Sequence, residues 1–271
     1  MPELPEVETT CRGLAPHLSG RRIQAVRIRD GRLRWPVASQ VATQPCGQSI
    51  LSVTRRAKYL LINLDNGTII IHLGMSGSLR LISGNEAPRT HDHVEIELDN
   101  GLVLRLHDPR RFGSVHFTDA DPLRHRLLAT LGVEPLSEAF TAKRLKQHAT
   151  GRRIAVKNFI MDSKIVVGVG NIYASESLFI AGIHPTRPAQ RIALQRYEGL
   201  VAAIREVLNK AIAQGGTTLR DFVNGAGEPG YFAQSLRVYG RAGLPCMICG
   251  HLITSRVVAQ RNTFFCAHCQ R

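Results

Sequence analysis

The chain has 271 residues, of which 44% are hydrophobic, and its 35 lysines and arginines against 21 acidic residues give a net charge of +14. This composition excludes a disordered polar chain and leaves room for two or three small domains. No apolar run reaches the roughly 18 residues of a transmembrane helix, so we expect no membrane-spanning helix. The positive charge favours a polyanionic partner, nucleic acid first, although ribosomal and membrane-surface proteins share it.

The N-terminal segment, Met1–Thr9, contains three glutamates and two prolines. A secretory signal would start basic and turn apolar, so we expect a cytoplasmic protein. If Met1 is removed, as is common before proline, Pro2 carries a secondary amine that is partly neutral at pH 7. Such an amine can form a Schiff base with a sugar C1′, with Glu3 moving protons. The alternative is that Pro5 and the acids only start a helix, and these residues taken alone favour it.

The segment from about Ile23 to Phe117 has the pattern of β-strands. Two pairs of β-rich runs, 60–64 with 68–73 and 94–98 with 102–106, each flank an Asp-Asn-Gly triplet. Asn-Gly at such a place predicts a hairpin with a type I′ turn, in which both central residues need positive φ. Several strands of this kind predict a sandwich or a barrel.

After Pro135 the apolar residues follow a helical period. Positions 197, 200, 201, 204, 207, 208, 211 and 212 form one stripe of a long helix, which Gly215 and Gly216 would end. A shorter helix is predicted around Ile172–Ala181. The last 30 or so residues, rich in cysteine, form a third unit.

Four of the six cysteines form two CxxC pairs with 16 residues between them. In a reducing compartment this spacing predicts one structural Zn²⁺ held by four thiolates, on which a unit this small depends for folding. His251 and His268 lie nearby but are not needed for a closed site. The residues between the pairs, 256–265, have the pattern of a hairpin whose basic side chains either contact phosphates or are merely solvated. The predicted zinc ligands are Cys246, Cys249, Cys266 and Cys269, and Cys11 and Cys46 remain free thiols.

Together these motifs resemble the formamidopyrimidine-DNA glycosylase family of bacterial repair enzymes. The resemblance spans the chain, and it rests on 1–9, 31–36, 56–59, 72–77, 108–113, 168–176 and the four-cysteine unit, in the family's order. It implies an α+β protein: an N-terminal catalytic β-sandwich domain with a leading helix at 1–133, a helix–two-turn–helix domain at 134–230, and a zinc finger at 238–271. It also implies a monomer that removes 8-oxoguanine and formamidopyrimidines from double-stranded DNA and cleaves the abasic site by β,δ-elimination.

The resemblance also implies roles for single residues. Pro2 would be the nucleophile, Glu3 the proton carrier, and Lys58 a catalytic residue near the target phosphate. An apolar wedge with one arginine would fill the space left when the damaged nucleotide leaves the stack. The wedge residues are Met75, Arg110 and Phe112; the backbone contacts are His72, His91, Asn171, Tyr239 and Arg261, with Arg261 also serving δ-elimination; Arg152 and Lys157 would lie close to the DNA. The loop 217–230 would be mobile and cover the flipped base.

Two other interpretations stay open from the residues. The endonuclease VIII class, which prefers oxidised pyrimidines, shares Pro2 and Glu3, but Leu4 and the intact motif from Arg110 to Phe112 favour the purine enzymes. A non-catalytic DNA-binding zinc protein would fit the charge and the cysteines, but it gives no reason for Pro2, Glu3 and Lys58 to occur together. We expect a cytoplasmic enzyme associated with the nucleoid.

Overall fold

A computed structural model describes residues 2–216 and 236–271. Met1 and the loop 217–230, to which the sequence assigns a base-covering role, lie outside the described residues. The described chain divides into two units, one of residues 2–129 with 214–216 and one of residues 130–213 with 236–271. Within these ranges, no helix combines the length and the apolar character needed to cross a bilayer.

The first unit consists of a leading helix and two antiparallel sheets. The sheets have the strand orders β1-β6-β7-β5 and β2-β3-β4-β8. The elements are α1 (Leu4–Leu18), β1 (Ile23–Ile28), α2 (Gln40–Thr43), β2 (Ile50–Arg56), β3 (Tyr59–Leu64), β4 (Gly67–His72), β5 (Ser78–Ser83), β6 (Asp92–Leu98), β7 (Leu102–His107) and β8 (Ser114–Thr118). The predicted sandwich with a leading helix is confirmed.

The apolar periods of the sequence explain the core of this unit. Helix α1 buries positions 4, 7, 11, 14 and 18, which alternate by three and four and form one face. Strands contribute alternate residues, such as Leu60 and Ile62 of β3 and Ile69 and Ile71 of β4, because successive side chains point to opposite faces of a sheet. This core fixes α1 on the sandwich, and α1 carries the N-terminal residues.

The two predicted hairpins form, but the predicted turn type is wrong. Strands β3 and β4 pair through Leu64 and Gly67, and β6 and β7 are joined across 99–101. Neither asparagine has positive φ; only Gly67 and Gly101 do, at +106° and +79°. The Gly101 N–H donates to the Leu98 carbonyl at 3.1 Å. This is the pattern of a type I turn followed by a left-handed glycine, which joins strands with one extra residue.

The second unit is helical and includes a small hairpin. Its elements are α3 (Ala142–Ala149), α4 (Val156–Met161), α5 (Asn171–Ile180), α6 (Leu194–Ala213), β9 (Thr254–Val258) and β10 (Arg261–Phe265). Helix α6 buries the predicted apolar stripe, including Tyr197, Leu200, Ile204 and Leu208, and α5 matches the predicted short helix.

The cysteine-rich segment shares its core with α5. Phe179 packs with Val238 and Ile253 and with the buried Cys246 and Cys266. The Gln270 side chain accepts a hydrogen bond from Cys266 N (2.9 Å) and donates one to the Ile183 carbonyl (2.9 Å). A segment this short cannot bury a core alone, so it uses a helix side chain in addition to its metal ligands.

Candidate functional site

Pro2 and Glu3 are buried immediately before the first turn of α1. The Glu3 N–H donates to Glu6 Oε2 at 2.8 Å, and the Glu3 carbonyl accepts from Val7 N. Glu3 and Glu6 are only 2% and 1% exposed. A Cβ at Gly216 would lie 3.1 Å from Glu6 Oε1, so the Gly216 backbone packs closely against the Glu6 side chain. Glu3 and Glu6 therefore start a helix, as the alternative interpretation predicts. Their carboxyl groups are also removed from water, which the start of a helix does not require.

Lys58 lies in the tight turn between β2 and β3. Its neighbour Ala57 is buried and has φ of +56°, a left-handed conformation that costs free energy for a residue with a Cβ. Arg55 donates to the Ala57 carbonyl at 2.8 Å and to Glu8 Oε2 of α1 at 2.7 Å. Burial raises the pKa of Glu8, but hydrogen bonds from Arg55 and Arg12 outweigh it and leave the pKa below its ordinary value. Arg55 thus links the turn that contains Lys58 to α1, the helix that follows Pro2 and Glu3.

His72 ends β4 opposite Tyr59, with ring centroids 4.7 Å apart. Burial, together with the positive charges of Lys58 and Arg34, lowers the pKa of His72 to about 4. Its Nδ1 accepts a hydrogen bond from Gly74 N at 3.0 Å, so the proton of the neutral ring is on Nε2. At neutral pH, His72 is an uncharged hydrogen-bond donor.

The predicted wedge residues lie on two loops that press together. Met75 and Phe112 are 37% and 42% exposed, which is unusual for large apolar side chains, and Arg110 Cζ lies 5.0 Å from the Phe112 ring centroid. A Cβ at Gly74 would lie 2.3 Å from the Phe112 carbonyl carbon, so only glycine fits there. The structure therefore brings Met75, Arg110 and Phe112 onto one exposed ridge, as a wedge requires.

Asp108 holds these two loops, a role that sequence reasoning missed. Its fully buried carboxylate accepts from Ser76 Oγ at 2.8 Å and from Gly113 N at 2.7 Å. Its backbone carbonyl accepts from Arg111 N (3.1 Å) and from His93 Nε2 (2.9 Å). The motif from 108 to 113 was visible in the sequence, but the contacts to Ser76, 32 positions away, and to His93, 15 positions away, were not.

His91 is exposed at the start of β6 with φ of +75°. Its carbonyl accepts from Asp108 N at 3.0 Å, which ties it to the loop of the wedge. The neighbouring Asp92 is buried and accepts from Arg89 N at 2.8 Å and from His107 Nδ1 at 2.8 Å. A network of this kind can hold the strained His91 backbone in place.

In the second unit, the Asn171 side chain begins α5 and bridges to the hairpin. Its Nδ2 donates to the Asn262 carbonyl at 2.9 Å, and its Oδ1 accepts from Lys157 Nζ at 2.5 Å. Among the described residues, the second Nδ2 hydrogen has no acceptor, so it can be donated to a ligand. Asn171 is half-buried, so it can both position the hairpin and reach a partner.

Lys157, which is predicted to lie close to the DNA, is enclosed by protein oxygens. It is 1% exposed, and besides Asn171 its ammonium donates to Thr263 Oγ1 (2.7 Å) and to the Asn262 carbonyl (3.3 Å). Three oxygen acceptors satisfy a buried ammonium group. The geometry makes Lys157 an internal brace between α4, α5 and β10, because its Nζ faces protein oxygens.

Tyr239 is positioned by a second residue that sequence reasoning missed. The buried carboxylate of Glu176 accepts hydrogen bonds from the backbone N–H groups of Arg237, Val238 and Tyr239, at 2.8–2.9 Å. Burial raises the pKa of Glu176 above its ordinary value, although these donors oppose the shift. The Tyr239 ring packs edge-on against Phe264 of β10, with centroids 5.0 Å apart.

Arg261 is exposed and follows the turn of the predicted hairpin. Ala259 and Gln260 have φ of +45° and +62°, so this is a turn of type I′ geometry without asparagine or glycine. Arg152, also exposed, lies 3.8 Å from Asp162 Oδ2 in a loose ion pair.

Within the described residues, left-handed backbone at non-glycine positions coincides with the predicted site. Five non-glycine residues there have clearly positive φ: Ala57, His91, Arg111, Ala259 and Gln260. Each is a predicted site residue or lies within two positions of one, namely Lys58, His91, Arg110, Phe112 or Arg261. Such strain costs about 1–3 kcal/mol per residue and tends to be kept where function needs it.

The four CxxC cysteines converge on one point. Their sulfur atoms all lie within 4.8 Å of one another, with Cys246 to Cys269 at 3.9 Å and Cys249 to Cys266 at 3.5 Å. Tetrahedral zinc with Zn–S bonds of 2.3 Å requires sulfurs about 3.8 Å apart, so the set fits one zinc ion. The predicted structural Zn²⁺ is confirmed.

Three segments match known domain families in the order that the sequence predicts. Residues 1–115 match the formamidopyrimidine-DNA glycosylase N-terminal domain, residues 131–223 match the formamidopyrimidine-DNA glycosylase H2TH domain, and residues 243–271 match the zinc finger found in FPG and IleRS. Together these matches cover well over half of the chain.

Whole proteins give the same result. The chain is 59% identical to a formamidopyrimidine-DNA glycosylase of Alkalilimnicola ehrlichii and 57% identical to one of Methylococcus capsulatus, over 100% of both chains in each case. It is similar to the MutM (FPG) crystal structure from Thermus thermophilus, with 40% identity, a TM-score of 0.89 and coverage of 99% and 98%. It is also similar to a Lactococcus lactis FPG variant bound to DNA containing Fapy-dG, with 32% identity, a TM-score of 0.93 and full coverage of both chains.

Proposed function

The chain belongs to the formamidopyrimidine-DNA glycosylase family, and from this premise we propose that it excises oxidised purines from duplex DNA with Pro2 as the nucleophile. It is a base-excision repair glycosylase for damaged purines with one structural zinc. The observation that carries the proposal is the buried pair of Pro2 and Glu3 at the start of α1. The sister class for oxidised pyrimidines is set aside by the family match.

In the proposed reaction, the neutral Pro2 nitrogen attacks C1′ of the damaged nucleotide. The N–C1′ bond forms as the bond from C1′ to the base breaks, and Glu3 moves the protons that sugar opening requires. A secondary amine gives a cationic iminium without further protonation. The iminium acidifies the C2′ proton, whose loss expels the 3′ phosphate, and a second elimination expels the 5′ phosphate. A retained Met1 would convert the amine into an amide, so its removal must precede catalysis.

Lys58 and His72 have different roles in this proposal. Lys58 contributes a positive charge beside the target phosphate and lies in a turn that Arg55 fastens to α1. His72 contributes a neutral Nε2–H donor, because its Nδ1 is occupied by Gly74 N. One phosphate can therefore be held by a cation and a dipole.

The ridge of Met75, Arg110 and Phe112 is proposed to enter the duplex. Exposed apolar side chains can occupy the space of an everted nucleotide, and an arginine beside them can hydrogen-bond the orphaned partner base. The anchoring of both loops by Asp108 supplies the rigidity that a wedge needs. His91, tied to the same loop, is proposed to contact the backbone.

The second unit is proposed to hold the DNA backbone through its exposed polar groups. These are Asn171, Tyr239, Arg261 and Arg152, and Arg261 is also assigned to δ-elimination. For Lys157 we replace direct DNA contact by a positioning role, because its ammonium is enclosed by Asn171, Asn262 and Thr263. We retain the domain boundaries 1–133, 134–230 and 238–271, a monomer, and a nucleoid-associated cytoplasmic location as part of the proposal.

Trapping with borohydride tests the nucleophile. The protein is incubated with a duplex containing 8-oxoguanine and reduced, and the adduct is mapped by peptide sequencing. We expect an adduct on Pro2 in chains that have lost Met1, and none in chains that retain it. Glu3→Gln should abolish base excision, whereas Cys46→Ser, at an exposed thiol outside the site, should react like the natural chain. An adduct on Lys58, or full activity with Met1 attached, would overturn the mechanism.

A further inference from the structure

Two histidines lie against the zinc site without belonging to it. His251 follows Cys249 by two residues, and His268 lies between Cys266 and Cys269. Both side chains are exposed, and their rings stack with centroids 4.4 Å apart and 8° between the planes. Four thiolates already complete a tetrahedral zinc site, so the structural zinc does not explain this pairing.

The two rings and one zinc ligand form a ligand set of their own. A ring nitrogen of His251, a ring nitrogen of His268 and Cys249 Sγ all lie within 4.8 Å of one another. A tetrahedral ion needs nitrogens about 3.3 Å apart and nitrogen and sulfur about 3.6 Å apart. The separations of up to 4.8 Å must shorten to these values, and the stacked rings must turn out of their parallel arrangement, because an imidazole binds a metal in the plane of its ring. Exposed side chains accomplish both by rotating χ1 and χ2.

Charge favours a cation at this place. Four thiolates and one Zn²⁺ leave a formal charge of −2, and the half-buried Cys249 brings part of this charge beside the two exposed imidazoles. A thiolate sulfur has lone pairs for two metal ions, so Cys249 can donate to the structural zinc and to a second ion. Nitrogen and sulfur donors together suit the borderline divalent metals and not Mg²⁺ or Ca²⁺.

We propose that His251, His268 and Cys249 form a second metal site, which takes a borderline divalent transition metal and shares the Cys249 thiolate with the structural zinc. Three protein ligands leave one position open to water, in contrast to the closed four-cysteine site. The second ion therefore exchanges readily and binds more weakly than the first. Its binding draws electron density from the shared sulfur and alters the first site.

Zinc itself is the probe. The holoprotein with one zinc is titrated with Zn²⁺ against a chromophoric chelator, and bound metal is counted. We expect the natural chain to take up a second, weaker equivalent, and His251→Ala/His268→Ala to keep the first and lose the second. The control His17→Ala/His148→Ala removes two histidines far along the chain from the finger and should bind both equivalents.

Cobalt reports on the shared sulfur. With Zn²⁺ in the four-cysteine site, one equivalent of Co²⁺ should give a thiolate-to-cobalt absorption band in the natural chain and none in His251→Ala/His268→Ala. A stoichiometry of one at saturating zinc, or a second equivalent that survives the double substitution, overturns the proposal. If His251 and His268 only replaced a cysteine as ligands of the structural zinc, the natural chain would also bind one equivalent of zinc, and the proposal would fail. A cobalt spectrum of the natural chain that lacks this thiolate band would overturn the sharing of Cys249.

Discussion

Single polar side chains decide the geometry of this protein at several places. Asp108 and Glu176 are each buried, and each orders a stretch of backbone by accepting several hydrogen bonds. A buried carboxylate is costly unless its oxygens are satisfied, so such a residue commits the surrounding loop to one conformation. In the first unit that loop carries the wedge, and in the second it carries Tyr239.

Replacing Asp108 by asparagine tests the anchoring of the wedge. Asn is isosteric, but its NH₂ group would face either the Ser76 hydroxyl or the Gly113 N–H, which are donors to the carboxylate. We expect the free energy of unfolding to fall by about 1–3 kcal/mol. The rate of 8-oxoguanine excision is measured at a temperature where the variant is fully folded, so that reduced stability alone would not lower it. We expect the rate to fall nevertheless, because the wedge loops are no longer held in place. Asp119→Asn, in the exposed chain after β8, is the control, and equal behaviour of the two variants would contradict the anchoring role.

The His72 ring offers a test by pH. Because its folded pKa of about 4 lies below the ordinary value of 6.5, the unfolded chain binds more protons between these values. This residue therefore makes the protein less stable as the pH falls from 6.5 to 4. In NMR titration the His72 ring should remain neutral from pH 8 to pH 5.

Removing the positive charge of Lys58 should shift the pKa of His72. Lys58→Met should raise the pKa of His72, because the Lys58 charge is one of the causes that lower it. A His72 ring that titrates near 6.5 in the natural chain would contradict the neutral-donor assignment. Chemical shifts of Nδ1 and Nε2 would report the tautomer directly.

At the scale of elements, short turns carry the predicted chemistry, and helices and sheets hold them. The β2–β3 turn carries Lys58, the loops after β4 and β7 carry Met75 and Phe112, and the β9–β10 turn precedes Arg261. Several of these turns contain non-glycine residues with left-handed φ. Such conformations persist only when the flanking elements impose them, as the paired strands do here.

The wedge predicts a difference between two substrates. Phe112→Ala should slow excision of 8-oxoguanine from a duplex by about 10- to 100-fold, because eversion of a stacked base costs a few kcal/mol that the wedge offsets. Cleavage of a ready-made abasic site should change by less than about threefold, since there is no base to evert. Rates are measured in single turnover on both duplexes. Leu123→Ala, at another exposed apolar residue, is the control, and equal losses on both substrates would make Phe112 an ordinary packing residue.

At the scale of the whole molecule, the charge of +14 is the feature that concerns the partner. Positive charge binds the phosphate backbone without regard to sequence, and it makes affinity depend on salt. It does not by itself tell which cations contact DNA. The structure distinguishes exposed Arg261 from enclosed Lys157, although both are basic residues near the same hairpin.

Salt dependence measures these contacts. With about five to six phosphates neutralised, log K should fall with log salt with a slope near about −5. Arg261→Ala should reduce the steepness by about one unit for every sequence alike. His72→Gln should leave the slope unchanged, because it replaces one neutral donor by another.

Binding is measured by fluorescence anisotropy between low and physiological salt. Arg22→Ala, at an exposed arginine outside the predicted contacts, is the matched control and should keep the natural slope. An unchanged slope in Arg261→Ala would remove that side chain from the interface.

The sequence by itself determined the family, the order of α+β elements, the apolar stripe of α6 and the zinc ligands. These depend on local spacing: a helical period of 3.6, a strand period of two, and paired cysteines with two residues between them. The tertiary structure decided what spacing cannot encode. It gave the Asn-Gly hairpins a type I turn with a left-handed glycine, and it enclosed Lys157 among oxygens of α5 and β10. It also paired Asp108 with Ser76 and Glu176 with Tyr239. Those partners lie 14 to 106 positions apart, and only packing brings their atoms within hydrogen-bond distance.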